Sequence, residues 1–170
     1  MENKLFRVVL HWSVGSYVPN ADDLAHYHYL VDNLGNIHKG DKPPESNLPE
    51  NVAKGDGHYV SHLGGGNSGT VGISMASMLG YKSREDMGKF PFTEVQFEKA
   101  CELMAEMCHK YNIEVTPDTV FSHMEFGIKH PESPSAGKID ISVLPYDLSI
   151  KKEEIGDLIR SKVKWYLTKK

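Results

Sequence analysis

A single α/β domain over residues 1–170, built on a central mixed β-sheet flanked by helices, is the fold class this sequence predicts. Three observations carry that expectation. Short β-branched and aromatic runs at 5–10 (LFRVVL), 70–75 (TVGISM) and 119–121 (TVF) read as buried strands. Two longer stretches, 93–111 and 150–167, carry apolar residues at helical spacing. Strands and helices alternate along the chain, and no internal repeat or shift in composition marks a second domain.

Composition narrows the class further. A chain of 170 residues with 39% hydrophobic and 25% charged content is long enough, and apolar enough, for one soluble core. The net charge of −4 gives no general pull toward nucleic acid or an anionic membrane. No apolar run reaches signal-peptide or membrane-span length, so cytoplasmic synthesis without a signal peptide and no membrane insertion are expected. Cys101 and Cys108 stand two helical turns apart. That is about 10 Å, too far for a disulfide, and both read as reduced core residues. Nothing calls for a partner chain, and a monomer is expected.

In chain order, the run Leu5 to Leu10 is a strand that ends by delivering His11, followed by Trp12. Asn20 can cap a short helical turn whose first residues include Asp22 and Asp23. Tyr27 to Asp32 and Ile37 to Lys39 read as a hairpin turning at Gly35. The stretch 40–57 holds Pro43, Pro44 and Pro49 without periodicity, and is expected to be a long loop bordering the cleft. A glycine-rich segment, SHLGGGNSG at 61–69, then runs into the strand at 70–75. It lacks the Lys-Ser/Thr pair of a phosphate-binding loop and precedes a strand, which excludes a nucleotide site of that kind. Thr93 to Gln96 has the pattern of a capping box. Behind it Phe97, Cys101, Met104, Cys108 and Tyr111 form one apolar stripe. The final helix places Ile155, Leu158, Ile159 and Val163 on one side.

The stretch 121–142, FSHMEFGIKHPESPSAGKIDIS, carries the chemistry. His123 stands where a strand is expected to give way to a long loop, and Lys138 and Asp140 follow near the loop's end. An imidazole from a strand and a carboxylate from a returning loop are ligands that zinc accepts, and a catalytic site needs a third with a position left for water. His11 repeats the strand-then-histidine arrangement. If its strand neighbours that of His123, both imidazoles face one crevice. Each residue alone has an ordinary alternative: His11 packed under Trp12, or Lys138 and Asp140 as a solvated surface pair.

In this order the blocks VVLHWS, YHYLVDNLGNIHKG, SHLGGGNSGTVGISM, SHMEF and GKID resemble the zinc-dependent N-acetylmuramoyl-L-alanine amidases. That family includes the phage amidase-type lysozymes and the peptidoglycan-recognition proteins. The resemblance implies their fold and a Zn2+ held by His11, His123 and Asp140. It implies Lys138 and Tyr27 as catalytic residues, with Tyr27 pointing to the phage-type branch, because Ser74 stands where another branch has glutamate. It places His62 and Asn67 against the substrate. The implied reaction is hydrolysis of the amide joining N-acetylmuramic acid to L-alanine in peptidoglycan, in a phage or prophage endolysin acting on the bacterial wall after release. Two other readings stay open: a peptidoglycan-binding module without hydrolysis, and a cytoplasmic amidase recycling soluble wall fragments.

Overall fold

Five strands form one sheet in the order β3-β2-β4-β1-β5, where β1 is Arg7–Trp12, β2 Tyr29–Val31, β3 Ile37–Lys39, β4 Thr70–Met75 and β5 Val120–Ser122. The structure, a computed structural model, describes residues 2–170. β1 lies parallel to both β4 and β5, β4 is parallel to β2, and β3 is the antiparallel edge. The sheet is thus mixed, and the central position falls to β1, which is buried from Val8 onward.

Strand periodicity divides the sheet into two unlike faces. Val8, Leu10 and Trp12 of β1, with Val71, Ile73 and Met75 of β4, point into the main core. That face is covered by α3 (Glu94–Lys110) and α5 (Lys152–Leu167). The alternate residues Val9, His11, Gly72 and Ser74 point the other way, where Leu63, Phe121 and Phe126 make a smaller apolar cluster with Val9. The apolar stripe of α3 faces the core as its spacing predicts, with Phe97, Cys101, Met104 and Cys108 buried and Tyr111 partly so. Its expected capping box is present: Thr93 Oγ accepts from Gln96 N and Gln96 Oε1 from Thr93 N, both at 3.1 Å. The two cysteines are free and buried.

Several local expectations need correction. β1 extends two residues past Leu10, so His11 lies inside the strand, opposite Ser74 of β4. The hairpin begins later than Tyr27, because α1 (Ala21–His26) runs up to it and Tyr27 caps that helix in an extended conformation. Residues 40–57 are not a bare loop. They hold a 3-10 turn, Pro44–Asn47, and α2, Pro49–Ala53. Pro44 and Pro49 each occupy a first helical position, where a missing N–H costs nothing. This segment does not line the cleft; its Asn47 is buried and receives Val60 N at 2.8 Å.

The largest departure follows β5. His123 opens a helix, α4 (His123–Lys129), and not a loop. Ser122 caps it, taking Glu125 N at 3.2 Å, while Glu125 Oε1 takes Ser122 N at 3.0 Å. Glu125 is gripped in turn by Arg160 of α5 through two bonds of 3.1 and 2.9 Å, and Arg160 also donates to the Val120 carbonyl at 2.9 Å. Arg160 is only 8% exposed. Removing one partner of a buried, forked pair strands the other. Arg160→Leu is therefore expected to lower unfolding free energy by about 2–4 kcal/mol, read as a lower urea midpoint at unchanged slope. Asp157→Ala, whose side chain is 86% exposed beside the same arginine, should change it by less than about 1 kcal/mol.

Candidate metal centre

Three buried side chains from three parts of the chain converge at the edge of the polar face. β1 contributes His11, the first residue of α4 contributes His123, and the loop before α5 contributes Asp140. The β1–β5 pairing sets the strand that carries His11 beside the strand that leads directly into His123. Asp140 is tied to the start of α4 through its own carbonyl, which accepts Met124 N at 2.6 Å.

The distances identify what the group can hold. His11 Nδ1 lies 3.1 Å from His123 Nδ1 and 3.2 Å from Asp140 Oδ2, and His123 Nδ1 lies 3.3 Å from that same oxygen. Ligand atoms about 2.0–2.1 Å from a tetrahedrally coordinated zinc are about 3.3–3.4 Å apart, so this triangle has the edges of one tetrahedral face. Hydrogen bonding alone does not account for it. His123 Nε2 faces Ser135 Oγ at 3.0 Å, and that hydroxyl donates to the Gly64 carbonyl at 2.7 Å. The imidazole must then supply the Nε2 proton, and in its neutral form His123 Nδ1 carries a lone pair. Two nitrogens and a carboxylate oxygen aimed at one point are a donor set suited to a divalent cation, and the three residues fit zinc.

Burial sets the charge states. It pushes His11 down to about 4, although Asp140 acts against it, so His11 is a neutral imidazole at physiological pH. Burial would raise the Asp140 carboxyl, but the close approach of His11 and His123 leaves it below the usual carboxylate range. Tyr27 packs against His11 with ring centroids 5.2 Å apart. Burial first, then the Asp140 charge, raises its phenol well above its ordinary value.

A cleft of about 510 Å³ opens over the triangle, within the usual range for ligand sites. Tyr27, His62 and Lys138 line it with Trp12, Tyr81 and Asp140, and Lys138 is exposed at its rim. Asn67 is not among the lining residues. Its Oδ1 instead accepts His62 N and Leu63 N at 2.9 and 2.7 Å, which folds the glycine-rich loop onto itself. His62 borders the cleft, but both its ring nitrogens are engaged inside the protein, leaving none for a substrate. The structure thus places His62 in the cleft wall and Asn67 behind it, each holding other parts of the protein. Ser74 Oγ is buried without a hydrogen-bond partner among the described residues. The sequence reading missed Ser135 and the Glu125–Arg160 grip. Ser122-His123-Met124-Glu125 has the capping-box spacing that would have revealed α4, whereas nothing local marks Ser135.

Comparison with known proteins follows the same line. Residues 2–140 match the family model described as N-acetylmuramoyl-L-alanine amidase. Among solved structures, the N-acetylmuramyl-L-alanine amidase AmiD from E. coli, in complex with anhydro-N-acetylmuramic acid-L-Ala-D-gamma-Glu-L-Lys, is similar with a TM-score of 0.54 at 17% identity. That match covers 81% of this chain and 52% of AmiD, so the chain spans about half the length of that relative. The endolysin N-acetylmuramoyl-L-alanine amidase LysCS from Clostridium intestinale URNW gives a TM-score of 0.46 at 17% identity, over 78% of this chain and 75% of its own. No curated protein matches by sequence.

The polar face carries a further buried imidazole, His28. It accepts Gly72 N at 2.9 Å and faces Asn47 Oδ1 at 3.1 Å, and burial lowers it to about 4. An unfolded histidine titrates near ~6.5. As pH falls from about 6.5 to about 4, the unfolded chain takes up a proton that the folded protein refuses, so stability drops through that window and levels below it. In metal-free protein, His28→Gln should flatten the dependence of melting temperature on pH between about 6.5 and 5.5. Identical slopes in the two proteins would remove His28 from the acid sensitivity.

Proposed function

The chain belongs to the N-acetylmuramoyl-L-alanine amidase family, and from that premise we propose that it hydrolyses, with zinc, the amide between the lactyl group of N-acetylmuramic acid and L-alanine in peptidoglycan. The observation that carries the reading is the triangle of His11, His123 and Asp140, with edges of 3.1–3.3 Å under an open cleft. Those three residues would hold the ion. When bound, zinc supplies a Lewis acid that brings water toward hydroxide near neutral pH and polarises a carbonyl.

The chain's own groups do the rest. Lys138, at the rim, offers an ammonium to the amide oxygen as that oxygen gains charge. Tyr27 stays protonated, because burial, the main cause of its raised value, persists whatever neutralises Asp140. Its hydroxyl is therefore a hydrogen-bond donor and not a base. The cleft of about 510 Å³ would take a muramyl group with the start of a stem peptide, the kind of molecule seen bound to AmiD. Tyr27 also favours the phage-type branch, hence an endolysin working on assembled wall. Digestion of intact sacculi supports that role, and turnover of soluble fragments alone supports recycling.

Purified protein should contain one zinc per chain and release free alanine amino groups from purified wall without new reducing sugar. Chelation should abolish the release and added zinc restore it. A metal-free preparation with undiminished activity would sink the reading, and zinc binding without release would leave a binding module. Lys138→Ala should keep zinc and lose about 10²–10³ in rate, whereas Asp140→Ala should lose both. Tyr27→Phe should cost less than about 10²-fold. Unchanged turnover in Tyr27→Phe would remove that donor and leave the ion site intact.

A further inference from the structure

The imidazole behind His11 has a different job from the one its place in the cleft suggests. His62 Nε2 lies 3.0 Å from the Thr70 carbonyl oxygen, which can only accept. The proton of His62 therefore sits on Nε2. His62 is buried and makes no hydrogen bond to a carboxylate, so the ring is neutral and its Nδ1 carries a lone pair. That lone pair faces His11 Nε2 at 3.0 Å, with the two rings edge-on at 89°. His11 must supply the hydrogen between them. A neutral His11 protonated on Nε2 then presents a bare Nδ1 to His123 and Asp140.

We infer that His62 is a positioning residue: an imidazole whose tautomer is set by the Thr70 carbonyl and which, in turn, sets the tautomer and ring angle of His11, the middle ligand of the proposed metal centre. A single backbone carbonyl thus fixes, two rings away, which nitrogen of His11 is free for the ion.

The seat of this ring is also built for it. A Cβ on Gly72 would lie 2.6 Å from both Cγ and Nδ1 of His62, so the imidazole lies directly on the backbone of β4 where no other residue type leaves room. From the loop side, Asn67 clamps the His62 and Leu63 amides, which fixes where the ring begins. The ring is thus held by the strand backbone beneath it, the loop that carries it and a carbonyl beyond it. Ligand-orienting partners of this kind typically govern metal affinity by about 10–100-fold.

The inference rests on the zinc reading, and the test separates the two. Zinc affinity of the full chain is measured by competition with a chromophoric chelator, and the His11 tautomer in zinc-free protein by nitrogen-15 NMR of the imidazoles. Wild type should show His11 protonated on Nε2. His62→Phe should bind zinc about 10–100-fold more weakly and lose that single tautomer. His62→Gln can accept from His11 through its amide oxygen and donate to Thr70 through its nitrogen, and should recover most of the affinity. Gly72→Ala removes no polar atom yet displaces the ring, and should weaken zinc binding as well. Wild-type affinity and an unchanged His11 tautomer in folded His62→Phe would overturn the inference while leaving the zinc site standing. If His62→Phe does not fold, wild-type affinity and tautomer in Gly72→Ala would overturn it instead. A wild type that binds no zinc would overturn the proposed function, and the zinc-free tautomer would still decide the role of His62.

Discussion

Three electron-pair donors held 3.1–3.3 Å apart in a buried corner are the constraint on which the rest of this structure turns. Such a triangle is unfavourable unless a positive charge occupies its centre, because one proton can satisfy only one edge. The protein keeps the donors together by anchoring each to a different rigid support. His11 sits within the central strand, His123 on the first turn of a capped helix, and Asp140 on a loop tied to that turn by a 2.6 Å backbone bond. The ligands come from positions far apart in the chain, so the complete fold creates the site and no local segment contains it.

The sheet can serve both stability and chemistry because its strands alternate. The face under α3 and α5 is filled with aliphatic and aromatic side chains and forms the main core. The opposite face carries His11, His28 and His62, and burial lowers all three histidines. Buried polar rings of this kind are tolerated only when their hydrogen bonds are made. Here the acceptor nitrogen of His28 takes a backbone amide, and that of His62 faces the neighbouring imidazole of His11. The price of placing polar groups against a sheet is met by geometry, with Gly72 giving up its side chain so that a ring can lie against the strand.

How much of this was legible follows from how local each signal is. Strand β4 and the capping box of α3 were readable residue by residue, because alternation and caps are written within four to six positions. His11, His123 and Asp140 were readable as candidates from block order and type, and the fold brings them together. Helix α4 is marked only by its capping-box spacing, since a seven-residue helix that includes Gly127 has little periodicity and follows directly on a strand. The internal contacts of His62 and Asn67 were not readable for another reason. A histidine in a cleft and a histidine holding another histidine look the same in one dimension. Only the positions of Thr70 and Gly72 separate them. The stretch 40–57 shows no periodicity to reveal its helical turns, two of which begin at Pro44 and Pro49.

The region matched to the amidase family ends at residue 140, yet the support of the proposed centre does not end there. α5 lies wholly beyond that point, and it buries Ile155, Ile159 and Val163 in the main core. From that anchored position Arg160 reaches across to the carbonyl of Val120 in β5 and to Glu125 in α4. Glu125 is also the residue whose carboxylate closes the cap on the turn that starts with His123. One guanidinium therefore joins the last helix to the strand and the turn that deliver a ligand. Arg160 lies outside the matched region, and its contact bears on the orientation of His123 and not on the cleft itself. The strength with which the corner is held is thus set in part by a helix that makes no contact with the cleft.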